Sequence, residues 1–173
     1  MRVTIVTPET KDFEYNIRPC VFLAGPCTDS RNWHSEVVKY FQEIESDQEI
    51  VFFNPQNFNF KDLGEQVDWE TYHLNWSYNN GLVAFYLSNK VKSTLDRGYA
   101  RTTRFELGEW LSKYKHMNSM LNLEHKETLL TIAMEDNFEG GDYISHRIKK
   151  DYGIKFIPNN MDDFCKEIYK KLF

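Results

Sequence analysis

An excess of positive charge, a cysteine framework, a long apolar run and a linker rich in Gly or Pro are all missing from this sequence. Each absence excludes something. Lys and Arg together number 21 against 26 Asp and Glu, a formal net charge of −5. Such a chain is poorly suited to gripping a nucleic acid polymer, whose phosphates call for clustered positive charge. A small anion held by one local basic side chain remains compatible with it. The 3 cysteines, Cys20, Cys27 and Cys165, form no CxxC pair and leave one over. A secreted disulfide scaffold is therefore not expected, and a reducing, cytoplasmic setting is. The longest strongly apolar run, Leu82–Leu87, falls far short of a membrane span. The opening Met1–Ile5 carries no long apolar stretch, so neither a membrane partner nor a signal peptide is expected. With 8 Gly and 5 Pro in 173 residues there is no low-complexity divider, and no internal repeat is found. One domain spanning 1–173 is the expectation, long enough to bury its own core. Hydrophobic residues make up 41% and charged residues 27%, a globular rather than a disordered balance.

Familiar chemical motifs are also missing. No GxGxxG follows the first buried strand, no GxxxxGK[ST] marks a P-loop, and no GxSxG elbow is present. The 5 histidines, His34, His73, His116, His125 and His146, make no HExxH and no close ligand pair, so no metal is expected. Cys27 sits just past a strand end. It reads as a small half-buried thiol in a turn rather than a nucleophile, because no partner base can be named from the sequence.

What is present is an alternation of short apolar runs with helix-length polar patterns, the signature of an α/β fold with a mostly parallel sheet. Strands are expected at Cys20–Ala24, Glu49–Phe53, Leu82–Leu87, Thr128–Met134 and Ile154–Ile157. Helices are expected at Arg31–Glu45, Val67–Tyr78, Thr103–Met117, Tyr143–Asp151 and Met161–Leu172. Arg2–Val6 and Glu14–Ile17 read as a small N-terminal hairpin added to this unit. The whole is a doubly wound, five-stranded parallel sheet with helices on both faces. Ligands of such sheets bind beyond the carboxyl ends of the strands, near the switch in strand order. That rule directs attention to Gly25–Arg31, Asn54–Asp68 and Ser88–Glu106.

Three segments there carry chemistry. Arg101–Trp110 reads RTTRFELGEW. Its Thr103-x-x-Glu106 has the form of a capping box, in which hydroxyl and carboxylate close free amides at a helix start. The same Glu106, in a first helical turn beside the crevice, could attack a sugar C1, and the helix N-terminus would keep it ionised. Val67–Leu74 sets Asp68 and Glu70 on either side of Trp69. Residues two apart on a helix point in different directions, so at most one of the two carboxylates can share a site with Glu106. That one would move a proton or hydrogen-bond a sugar, unless both merely complement a helix dipole. Trp69 is either core or a platform for a base. Gly25 and Pro26 break the chain after the first strand, where the missing side chain lets backbone approach a ligand.

These segments, in this order, resemble the nucleoside 2-deoxyribosyltransferase-like family. The resemblance runs through Phe22–Pro26 (FLAGP), Asn54-Pro55, Trp69-Glu70 with Leu74, Ala84-Phe85-Tyr86 and Thr103–Gly108 followed by Trp110. It covers roughly Cys20 to Lys115 and weakens in the last strand and helix. It implies a flavodoxin-like fold, no metal or organic cofactor, a homo-oligomer, and cleavage of the N-glycosidic bond of a nucleoside or nucleotide. The sugar would pass to another base or to water. It further implies Glu106 as nucleophile, with a second carboxylate near Trp69-Glu70, Glu70 or Asp68, serving the base or sugar. Thr103 and Arg104 would orient Glu106. Gly25, Pro26, Asn54, Trp69 and Asn80 would bind substrate. An aromatic content of 16% agrees with an interface between copies.

The chain also departs from the family pattern. The family commonly has Asp just before the third strand, where this chain reads Asn79-Asn80-Gly81, and the stretch from Trp69 to that strand is longer than usual. The loop Ser88–Arg101 carries Lys90, Lys92, Arg97 and Arg101, which with Arg104 could face a substrate phosphate or simply lie in solvent. Two alternatives stay open: a protein of the same fold that binds a nucleotide or nucleotide-derived signal without turnover, and a glycohydrolase of NAD-type dinucleotides.

Overall fold

The computed structural model describes residues 1–16, 19–56, 60, 62–93, 98–121, 130–154, 157–158 and 160–173. Their order is β1 (Arg2–Val6), β2 (Cys20–Ala24), α1 (Trp33–Gln42), β3 (Glu49–Phe53), α2 (Leu63–Asn80), β4 (Leu82–Leu87), α3 (Arg101–Leu121), β5 (Leu130–Met134), α4 (Gly141–Tyr152), β6 (Ile157–Pro158) and α5 (Met161–Leu172).

One sheet holds the strands in the order β1-β3-β2-β4-β5-β6, every pair parallel. Without β1, the strands follow the flavodoxin-like order 2-1-3-4-5. β2 and β4 are buried along their whole length, as expected of parallel strands covered on both faces. Side chains alternate between two cores. Phe22, Phe53 and Phe85 face Leu74, Leu107, Trp110 and Ile148 of α2, α3 and α4. Leu23, Phe52 and Tyr86 face Trp33, Phe41 and Phe164 of α1 and α5. The period-2 alternation of β-strands sorts one apolar run into both layers.

The N-terminal hairpin is corrected. β1 pairs with β3 in parallel, Arg2 opposite Glu49 through Val6 opposite Phe53, and extends the sheet at its edge. Glu14–Asn16 form a turn rather than a strand, and Phe13 and Tyr15 pack their rings on Phe53. Burying two aromatic rings outweighs a two-stranded ribbon, which is marginal in water. Ile17, Thr128, Leu129, Lys155 and Phe156, the remaining parts of expected strands, lie outside the described residues.

Two helices begin earlier than their apolar periodicity suggests. α2 starts at Leu63, where Asp62 Oδ1 accepts from the Glu65 N–H at 2.9 Å. α3 starts at Arg101: the Arg104 N–H donates to the Ala100 carbonyl at 3.0 Å. Thr103 is therefore inside the helix, and the expected capping box does not form.

Candidate functional site

The carboxyl ends of β2 and β4 lie side by side at the point where the strand order reverses. A cavity of about 100 Å³ opens there, between the turn after β2 and the N-terminal halves of α2 and α3. Its wall includes Gly25, Pro26, Cys27, Glu70, Thr103 and Glu106.

The turn after β2 is held by Trp33. Its indole N–H donates to the Pro26 carbonyl at 3.0 Å, and Ser30 Oγ donates to the same oxygen at 2.7 Å. A Cβ on Gly25 would lie 2.5 Å from the Tyr86 carbonyl and 2.6 Å from the Trp33 ring. Gly25 is thus required by the close approach of Trp33 and β4, a constraint from within the fold beside any approach of a ligand.

Glu70 and Glu106 reach the cavity from two helices. Glu70 accepts from Gln66 Nε2, one turn earlier on α2, at 2.9 Å. Burial raises the Glu70 carboxyl above its ordinary value, against the lowering effect of the Gln66 bond. Glu106 is pushed up to about 8, first by burial and then by the charges of Glu70 and Glu109. This overturns the expectation of an ionised Glu106. It stands six residues into α3 rather than in the first turn, where the dipole effect fades. Its surroundings withdraw water and add like charge, both of which favour the protonated form.

Cys27 extends this group. Its thiol lies 3.7 Å from His34 Nε2 and donates to the Gly25 carbonyl at 3.5 Å. Burial, then the charges of Glu70 and Glu106, push the thiol up, and burial holds His34 down to about 3. Cys27 therefore has a histidine neighbour that the sequence did not reveal, yet both stay neutral, unlike an activated thiolate.

Among the sequence-derived candidates, Glu106, Glu70, Gly25, Pro26 and Thr103 share this cavity. Asp68 and Asn80 lie instead along an open groove on another face of α2, with Tyr72 and Trp76. Asn80 Nδ2 donates to the Trp76 carbonyl at 2.9 Å. The two-apart spacing of Asp68 and Glu70 separates them as the helical geometry requires. Asn54 is buried and uses its side chain in a turn, accepting from the Gln56 N–H at 3.0 Å, while Pro55 reaches the cavity. Trp69 sits in the core between Phe22 and His73. Arg104 turns away to Glu139, donating to its carbonyl at 2.7 Å and lying over the Phe138 ring.

Gln66, Thr28 and Tyr99 line the cavity and were not singled out from the sequence; Arg101, named there as a residue that could face a substrate phosphate, lines it too. Gln66 was findable: Asp62-x-x-Glu65 is a helix-start signal that puts Gln66 one turn before Glu70. His34, seven residues from Cys27, gave no local signal. No protein-family model and no curated protein matches the chain.

Proposed function

We propose that this cavity cleaves the N-glycosidic bond of a nucleoside or nucleotide, with Glu106 as nucleophile and Glu70 as acid and base. The observation that carries the reading is the pair itself. Two half-buried carboxyl groups from two helices, both raised above the ordinary carboxyl value, stand at the switch point of a parallel sheet. Retaining glycosidases need such a pair, one group ionised and one protonated. The resemblance of Phe22–Pro26, Trp69-Glu70 and Thr103–Gly108 to the nucleoside 2-deoxyribosyltransferase-like family agrees with it.

Attack requires the minority form in which Glu70 holds a proton and Glu106 has given up its own. A Glu106 carboxylate oxygen attacks the anomeric carbon. The C–N bond breaks, its electron pair leaves with the base, and the base takes the proton from Glu70. A glycosyl ester on Glu106 results. Water or a second base then attacks the same carbon and gives its proton to Glu70, and Glu106 is released with net retention. Thr103, one helical turn before Glu106, lines the same space. Arg104 is bound to Glu139 and takes no part in the step.

The test is chromatographic detection of free base from a panel of nucleosides, nucleoside monophosphates and NAD, with and without an acceptor base. Base release that Glu106→Ala abolishes supports the reading, and acceptor dependence separates transfer from hydrolysis. Nicotinamide release from NAD alone marks the glycohydrolase alternative. A second reading, binding without turnover, is favoured by one observation: a Glu106 kept protonated up to about 8 is a better hydrogen-bond donor than nucleophile. Stoichiometric binding of a panel member with no base released would establish it and overturn the enzyme reading.

A further inference from the structure

The turn after β5, residues 135–140, contributes none of the described residues of the cavity wall, yet the segments that form the wall are tied to it. Glu135 is 8% exposed and receives hydrogen bonds from three directions. Arg31 Nε donates to it at 2.5 Å from the turn after β2. The Asn89 N–H donates at 2.6 Å and Ser88 Oγ at 3.3 Å from the segment after β4. Tyr86 Oη donates at 3.3 Å from the end of β4 itself. Arg31 is held in turn by Glu36 and by Tyr86 Oη, the latter at 2.8 Å.

From there the ties continue to the cavity. Tyr99, a wall residue, donates from its hydroxyl to the Ser88 carbonyl at 2.7 Å. Asp29, another wall residue, accepts through its carbonyl from the Val91 N–H at 2.7 Å. Asn89 Nδ2 donates to the Asp136 carbonyl at 2.6 Å, and Arg104 of α3 is fastened to Glu139. A buried carboxylate facing a guanidinium, an amide and two hydroxyls has one satisfactory arrangement, because each lost partner leaves charge uncompensated in a poorly solvated place.

We propose that Glu135 is a positioning residue: through Arg31 and Asn89 it fixes the turn after β2 and the segment before α3, and so sets the distance between Cys27 on one wall and Glu106 on the other. The kinetic part of this rests on the glycosidic reading above; the geometric part does not. A site whose reacting groups are misplaced by about 1 Å loses about a hundredfold in rate, so removing the Glu135 charge acts on kcat without touching the reacting atoms.

The test uses the full chain and two independent readouts. The first is the rate at which iodoacetamide alkylates Cys27 under native conditions, located by peptide mass spectrometry. Cys20 and Cys165 are fully buried and serve as internal controls for global unfolding. The second is kcat and KM for base release. In Glu135→Gln, Cys27 alkylates about tenfold faster, the cost of local opening having fallen, and kcat falls about tenfold or more while KM changes less. An Arg31→Met/Glu135→Gln double variant is no worse than the sum of its parts and closer to the Glu135→Gln variant alone, since both act through one tie. Unchanged Cys27 labelling and kcat in folded Glu135→Gln overturn the proposal, as does labelling that rises equally at Cys20 and Cys165. Where Glu135→Gln does not fold, Arg31→Met removes the side-chain tie from the turn after β2 to Glu135 and must accelerate Cys27 labelling; an unchanged rate overturns the proposal. Wild-type protein that releases no base overturns the glycosidic reading alone, and the labelling rates still decide the role of Glu135.

Discussion

Glu106 shows what a residue type does not determine by itself. Its free carboxyl titrates near 4.5, and the fold moves it up to about 8 by burial and by the charge of Glu70. Between those two values the folded protein keeps a proton that the unfolded chain has lost. Stability therefore falls as pH rises from about 4.5 to about 8, and levels off beyond. Glu106→Gln has no charge to bury and escapes this loss. Its Tm is expected near that of wild type at pH about 4.5 and above it at pH about 8.5, by the equivalent of about 1–3 kcal/mol. Thermal unfolding at both pH values checks this; an equal difference at both would mean the carboxyl is not raised. The pair also shapes activity. On the glycosidic reading base release needs a proton on Glu70, whose carboxyl is raised, so the rate is expected to decline on the alkaline side. In Glu70→Asp, which keeps the charge, that limb remains. In Glu70→Gln that limb is lost, and the residual rate instead rises with pH from a lower pH than in wild type, because only an ionised Glu106 attacks and the nearby charge that held its proton is gone.

At the scale of elements, helix starts decided which residues meet. Asp62 caps α2 and puts Gln66 and Glu70 on the turn that faces the cavity. Asp62→Ala is expected to cost about 1 kcal/mol of stability, read from denaturant unfolding. α3 begins at Arg101, which carries Thr103 and Glu106 into the helix body and makes them successive members of one face. Gly108, two residues on, has nothing within 4 Å of where a Cβ would stand. Gly108→Ala should therefore stabilise the chain by about 0.5–1 kcal/mol, the difference in helix propensity. A loss instead would mean that the bare surface at Gly108 is covered by another molecule in solution. The strands were legible because their apolar runs are dense, and so were the helices that follow them. Their exact starts were not: caps are polar, local and easily lost in a loop rich in Asn.

At the scale of the whole molecule, the sheet presents two apolar faces and one functional edge. Trp33 joins them. It is fully buried in the layer with α1 and α5, stacks on Tyr86 at 5.3 Å, and donates to the carbonyl of Pro26 on the cavity wall. Trp33→Ala is expected to cost about 3–5 kcal/mol and to remove ligand binding at temperatures where the remaining fold persists; calorimetric titration beside circular dichroism separates the two losses. Among the described residues no helix is long and apolar enough to cross a membrane.

The sequence alone determined the α/β class and five of the strands, because periodicity and strand–helix alternation are local properties of the chain; the flavodoxin-like order was implied by the family resemblance. The sequence also determined that Asp68 and Glu70 must part, since a helix turns about 100° per residue. Only tertiary structure decided that β1 runs parallel on β3, that Arg104 serves Glu139, that Cys27 meets His34, and that the Glu106 carboxyl is raised. Each of these depends on contacts that the local pattern of the chain does not encode. Contact and desolvation, rather than residue type, set partner and charge.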